Sequence, residues 1–324
     1  MNSLKKVAAC IKRNKSFLIT AHTNLEGDAL GSELAFAELL RLLGKKAVIV
    51  NDDKIPVGYE FLSGVDSVHR YKPGMKVANF DCFVLLDCSD LKRCGDVYKL
   101  NKFNKPVLNI DHHISNTYFA DISWVEPHVS SCAEQVYKLF KAMRVPLNKK
   151  SALALYVGIL TDTGSFRYST TSAFTHQAAA DLLRYGIDVA RVYRNIYEDK
   201  PYQDMVLLAG ILSGIKRVSA GKIAWVEIEK GVTHNKTISF DLSERVLSFL
   251  RAIKDVEVAV LFKKIQGRNN EVRINLRSQG KIDVNKIAQF FGGGGHKTAS
   301  GCTVRGTLAQ VKKKVLTKIK GYLR

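Results

Sequence analysis

The chain has 324 residues, 46% of them hydrophobic, which exceeds one typical domain of about 100–200 residues and allows two ordinary cores. Lys plus Arg number 50 against 30 Asp plus Glu, a formal charge of +20. No stretch approaches the roughly 20 uncharged apolar residues that span a bilayer, which excludes a helical membrane protein.

The positive surplus is uneven. From Leu207 onward there are 23 basic and 8 acidic residues, a net +15, and the rest of the chain carries +5. A basic segment beside a weakly charged one points to a polyanionic ligand, with a merely solubilising surface as the plain alternative. The six cysteines, Cys10, Cys82, Cys88, Cys94, Cys132 and Cys302, form no Cys-x-x-Cys pair. Zinc held by thiolates is therefore not expected, and a reducing cytoplasm fits best.

Residues 1–14 mix Lys5, Lys6, Lys12 and Arg13 with Leu4, Val7, Ala8 and Ile11, the pattern of an amphipathic helix rather than a signal-peptide core. Phe17 to Ala21 reads as a strand, followed by a polar loop from His22 to Ser32 and a helix from Glu33 to Leu43. Three groups able to ligate a hard cation, His22, Glu26 and Asp28, fall within seven positions, and Gly27 and Gly31 allow tight turns or close approach. That density exceeds what capping needs, although an Asp28 helix cap and a solvated Glu26 are the ordinary alternative.

Lys46 to Val50 and Phe83 to Leu86 are further strand candidates, the latter closed by Asp87. Val107 to Ile110 is a fourth and delivers Asp111, His112 and His113. Alone, that triplet reads as surface or capping residues, but the acid-bearing clusters at His22–Asp28, Asp87 and Asp162 repeat the theme at apolar segment ends. Ser131 opens a helix to about Met143, and an apolar run from Leu153 to Leu160 leads into Thr161-Asp162-Thr163-Gly164. A further helix is expected near Ser172 to Tyr185. Alternating strands and helices imply an α/β, doubly wound, mostly parallel sheet, with ligands beyond the carboxyl ends of its strands.

A second, smaller α/β domain is expected beyond a linker near residues 187–206, giving domains 1–186 and 207–324. Its strands are placed at Lys222–Glu229, Glu257–Lys264, Glu271–Arg277 and Ser300–Val304, with helices at Leu242–Ile253 and Val284–Phe291. The run Gly292-Gly293-Gly294-Gly295-His296 needs more explanation than one helix cap, and an anion nest beside Arg273 and Arg277 competes with a flexible loop.

Taken in order, His22-x-x-x-Glu26-Gly27-Asp28, Asp87, Asp111-His112-His113, Thr161-Asp162-Thr163-Gly164 and the glycine run before His296 resemble the DHH phosphoesterase superfamily with its DHH-associated C-terminal domain. Spacing and length look closest to the nano-RNase and 3′-phosphoadenosine-5′-phosphate phosphatase branch, relatives of the RecJ-type exonucleases. The resemblance implies two divalent cations, usually manganese, with magnesium the alternative. His22, Glu26 and Asp87 would hold one, and Asp28, Asp87, His112 and Asp162 the other. It also implies catalytic roles for His113 and Asp111, and substrate contacts from Arg277, Ser278, Gly293, Gly294, Gly295 and His296. Glu26 departs from the aspartate usual in the family.

The implied substrates are short RNA oligonucleotides and nucleoside bisphosphates, in the cytoplasm and without a membrane, with a homodimer allowed. Hydrolysis of linear or cyclic dinucleotides, of pyrophosphate or of polyphosphate is the alternative within enzymes. A weakly active nucleotide-binding protein is the alternative outside them.

Overall fold

The structure is a computed structural model that describes residues 3–229, 241–265 and 270–323. Contacts divide the chain into two units, Met1–Glu198 and Asp199–Arg324. Among the described residues no helix is long and apolar enough to cross a membrane.

The first unit runs α1 (Ser3–Arg13), β1 (Ser16–Thr20), α2 (Gly27–Leu42), β2 (Lys46–Asn51), β3 (Val68–Arg70), β4 (Cys82–Leu86), β5 (Val107–Asp111), β6 (Ile122–Val125), α3 (Cys132–Met143), α4 (Lys149–Asp162), α5 (Ala173–Leu183) and α6 (Val189–Tyr197). The expected amphipathic first helix is α1; its expected first two residues lie outside the described residues. All six strands are parallel, in the order β3-β2-β1-β4-β5-β6. Period-2 side chains explain the two faces. Phe17 and Ile19 of β1, with Cys82, Val84 and Leu86 of β4, face the core formed with helices α1–α5. Leu18, Phe83 and Leu85 face a smaller core closed by Cys94, Val97 and Leu100, from a short-turn helical segment at Leu91–Leu100. The short edge strands β3 and β6 escaped the sequence reading, because Val68–Arg70 and Ile122–Val125 lack a long apolar run.

This strand order places its reversal between β1 and β4: the chain winds outward through β2 and β3, then returns to the opposite side of β1. Adjacent connections diverge there and leave a crevice at the strands' carboxyl ends. His22 follows β1 and Asp87 follows β4, so both fall at that crevice.

Helices α2 and α4 cross closely because they meet at glycines. A Cβ on Gly31 would sit 2.4 Å from the Ala154 carbonyl oxygen, and one on Gly158 would sit 3.0 Å from Asp28 Oδ1. The close approach sets Asp28, in the first turn of α2, beside the end of α4 where Asp162 is the last residue. The α2 helix therefore begins at Gly27, earlier than the Glu33 start expected from apolar periodicity, with Glu26 as its N-cap residue.

The second unit comprises α7 (Tyr202–Leu212), β7 (Lys216–Val218), β8 (Ile223–Ile228), α8 (Leu242–Arg251), β9 (Val258–Lys264), β10 (Glu271–Ser278), α9 (Val284–Phe290), β11 (Gly294–Gly295), β12 (Ala299–Arg305) and α10 (Leu308–Lys320). Its sheet is mixed, in the order β11-β12-β10-β9-β8-β7, with β8 and β9 parallel and the other pairs antiparallel. The division between units falls inside the 187–206 segment. Much of that segment is helical in α6 and the start of α7, because Asp188 caps α6 through the Arg191 amide and Pro201 stands at the N-cap of α7. Helix α10 was not expected, although Leu308, Val311, Val315 and Ile319 form a buried stripe at helical spacing.

Candidate metal centre

Asp87 is the geometric hub of the first unit's crevice. Its backbone is left-handed, φ 52°, a conformation that Asp tolerates better than most residues, and its amide donates to the Ile110 carbonyl. Its Oδ2 lies 3.4 Å from His22 Nε2, and its Oδ1 lies 3.4 Å from His112 Nε2 and 3.5 Å from His113 Nδ1. His112 Nε2 is also 3.8 Å from Asp28 Oδ2 and 3.3 Å from Asp162 Oδ2. Glu26, with 59% of its side chain exposed, stands 3.7 Å from His22 Nε2.

The mutually close sets of ligand atoms include His22 with Glu26 and Asp87, and Asp28 with Asp87 and His112. Asp87 belongs to both. Ligand atoms about 2.1 Å from a common cation stand about 3.0–3.4 Å apart, close to the spacing seen here. His22 Nε2 and Asp87 Oδ1 are buried without a hydrogen-bond partner, the condition of atoms set to ligate rather than to hydrogen-bond. Asp28, Asp87 and Asp111 are buried, and such acids require compensating positive charge. The donor set of carboxylates and imidazoles fits hard or borderline divalent ions.

Protonation reports the same demand for positive charge. Burial, with the charges of Asp87 and Asp162 added, pushes Asp28 well above the usual carboxylate range despite the Ala133 amide. Burial also raises Asp162, to about 7, against the opposing pull of His112. Burial disfavours the charged form of His22, but the neighbouring carboxylates of Asp87 and Glu26 outweigh it and lift the imidazole to about 10. Asp87 is likewise opposed by burial, yet its histidine partners hold it well below the usual range.

Asp28 and His113 are held from behind. Asp28 accepts the amides of Cys132 at 2.7 Å and Ala133 at 2.9 Å, the first two of α3, instead of capping its own helix. Asp111 accepts from His113 Nδ1 at 2.7 Å and from Asn116 Nδ2 at 2.6 Å, which assigns the Nδ1–H tautomer to His113. His113 Nε2 then accepts from Arg93 Nη1 at 3.2 Å. Arg93 also reaches Ser89 Oγ at 3.2 Å, and its carbonyl accepts the Thr23 amide, tying it to the loop that carries His22. The sequence reading missed Arg93; its place six residues after Asp87, in a stretch with no periodic signal, gave nothing to single it out.

The second-unit residues behave differently. Arg277 binds Glu244 through Nη2 at 2.5 Å and Nε at 3.1 Å. Ser278 is buried, and its hydroxyl donates to the Ile282 carbonyl at 2.7 Å. The glycine run is engaged within its own unit. Gly292 and Gly293 donate to Gln289 and Ala288 carbonyls and terminate α9 in a Schellman motif, while the His296 amide donates to Ala299. Gly294 and Gly295 pair with Gly301 and Ser300 of β12, and a Cβ on Gly293 would lie 2.2 Å from the Gly301 carbonyl oxygen. The glycines serve helix termination and close strand pairing, which occupies most of the amides a nest would need.

Residues 16–159 match the N-terminal domain of the DHH family, and residues 225–324 match the DHHA1 domain. The chain is 29% identical over 311 residues to the bifunctional oligoribonuclease and PAP phosphatase NrnA of Thermus thermophilus, covering 94% of this chain and 89% of that protein. It is 26% identical over 302 residues to a probable bifunctional oligoribonuclease and PAP phosphatase NrnA of Streptococcus mutans, covering 93% of each. The crystal structure of an exopolyphosphatase-related protein from Bacteroides fragilis matches with a TM-score of 0.88 at 25% identity, over 99% of this chain and 96% of that one. With its two matched domains, its motif residues gathered at one parallel-sheet crevice and these near full-length relatives, the chain belongs to the DHH phosphoesterase family, whose members are metal-dependent.

Proposed function

We propose that the chain is a two-metal hydrolase of phosphoester bonds, acting on short oligoribonucleotides and on 3′-phosphoadenosine-5′-phosphate. The observation that carries this is Asp87, whose two oxygens face different imidazoles within two ligand sets that share it. His22, Glu26 and Asp87 would hold one divalent cation, and Asp28, Asp87, His112 and Asp162 the other, with manganese the favoured ion and magnesium the alternative. When bound, two such ions supply charge neutralisation at the phosphoryl oxygens and a nucleophilic water at neutral pH. The near full-length relatives named as oligoribonucleases and PAP phosphatases support the substrate class.

The chain's own residues supply the rest. Arg93 presents a guanidinium beside His113, suited to a charge-assisted contact with a phosphoryl oxygen. Asp111 keeps the Nδ1 proton on His113, so Nε2 is the atom that takes a proton or returns one to the leaving oxygen. In the second unit, Arg277 and His296 are the proposed contacts to a substrate phosphate, with Arg277 exchanging its Glu244 partner for that phosphate.

The test is an assay of labelled RNA from dimers to 24-mers, with adenosine bisphosphate, pyrophosphate and polyphosphate alongside, in manganese and in chelator. Dimers to pentamers and the bisphosphate should turn over, and activity should vanish in chelator. Equal rates on a trimer and a 24-mer, or a preference for polyphosphate or pyrophosphate, would overturn the substrate reading.

A further inference from the structure

An open groove of about 650 Å³ lies on the second unit, lined by Phe290, Phe291, Lys313, Lys314, Lys318 and Tyr322 among others. It sits where α9 ends and α10 passes, away from the metal-ligand motifs in sequence. Phe290 is 63% exposed, and its ring meets that of Phe291 edge to face at 5.0 Å. Lys318 Nζ lies 3.6 Å from the Phe290 ring centre and 5.8 Å from that of Tyr322. Helix α10 carries five lysines and no acid. Among the described residues Lys312 pairs with Glu227, whereas Lys313, Lys314 and Lys318 have no carboxylate partner within salt-bridge distance.

Exposed aromatic rings beside unpaired lysines are what single-stranded nucleic acid recognises: bases stack on the rings and the backbone follows the positive charge, without sequence selection. We propose that this groove binds single-stranded RNA, with a base against Phe290 or Tyr322 and the flanking phosphates on Lys313 and Lys314. The inference rests on the RNA reading of the metal centre and gives the second unit an RNA-binding surface of its own. An anionic membrane is disfavoured because the apolar stripe of α10, Leu308, Val311, Val315 and Ile319, is buried in the domain core and has nothing left to insert.

The experiment uses the full chain in chelator, with fluorescein-labelled oligoadenylates of two and eight residues followed by anisotropy at two salt concentrations. The octamer should bind about tenfold more tightly than the dimer, as one base stack implies. Phe290→Ala and the double variant Lys313→Glu/Lys314→Glu should each remove that gain while leaving manganese-dependent dimer hydrolysis unchanged. The double variant should also lower the salt slope by about 1.4, at roughly 0.7 for each of two phosphates. Octamer affinity equal to wild type in both variants overturns the proposal. So does competition by phosphatidylserine vesicles or polyglutamate that exceeds competition by unlabelled octamer. Because binding is read in chelator, failure of dimer hydrolysis would sink the catalytic reading without touching this one.

Discussion

His22 reaches Asp87 at 3.4 Å across the gap between β1 and β4, although 65 residues separate them in the chain. The partner oxygen of the same carboxylate faces His112, so a single side chain joins both ligand sets.

Asp87→Asn should therefore abolish turnover, by more than 100-fold, since even a hydrogen-bond partner of a metal ligand is worth about 10–100-fold. Asn tolerates the left-handed backbone at this position, so the fold should persist. Thermal unfolding within a few degrees of wild type, together with lost activity, checks both halves.

Glu26 is the most exposed proposed ligand and the one departing from the family's aspartate. Glu26→Asp should leave affinity for the first ion unchanged or improved in a calorimetric manganese titration. Clear weakening would show a loop adapted to the longer side chain.

Arg93 should matter for phosphate rather than for metal. Arg93→Lys keeps the charge and loses the planar fork, and kcat/KM should fall by about tenfold or more with manganese affinity unchanged. Loss of metal binding in this variant would instead give Arg93 a scaffolding role through Thr23.

Protons compete with the cations. Asp162 is raised to about 7, so below that pH it is protonated and a poor ligand, and above it the carboxylate is available. Manganese affinity should rise as pH increases from 6 to 8. Calorimetry in buffers of different ionisation enthalpy should detect proton release on binding, to which His22, raised to about 10, also contributes.

Gly31→Ala tests the helix crossing that delivers Asp28. The added Cβ would meet the backbone oxygen of Ala154 at 2.4 Å, and backbone cannot swing aside. Destabilisation of about 1–3 kcal/mol in a denaturant titration is expected, with weaker metal binding as Asp28 moves away from Asp162. Wild-type stability would mean that α2 and α4 separate without penalty.

The chemistry of the centre was legible in the sequence because each ligand motif is local. His22, Asp87 and His112 each stand just past an apolar run, and strands deliver their next polar residues to the sheet's carboxyl edge. The parallel α/β class followed from the same alternation. Three things depended on contacts distant in the chain. Strand order decided that His22 and Asp87 meet at the reversal point, which no spacing encodes. Packing of Gly31 against Ala154 decided which helix end Asp28 approaches, and its carboxylate accepts the first two amides of α3 instead of capping α2. Arg93 entered the site through its hydrogen bond to His113. Local residue patterns state which groups are able to ligate or hydrogen-bond; long-range pairing decides which partners they find, because each such contact exists only once distant segments are packed together.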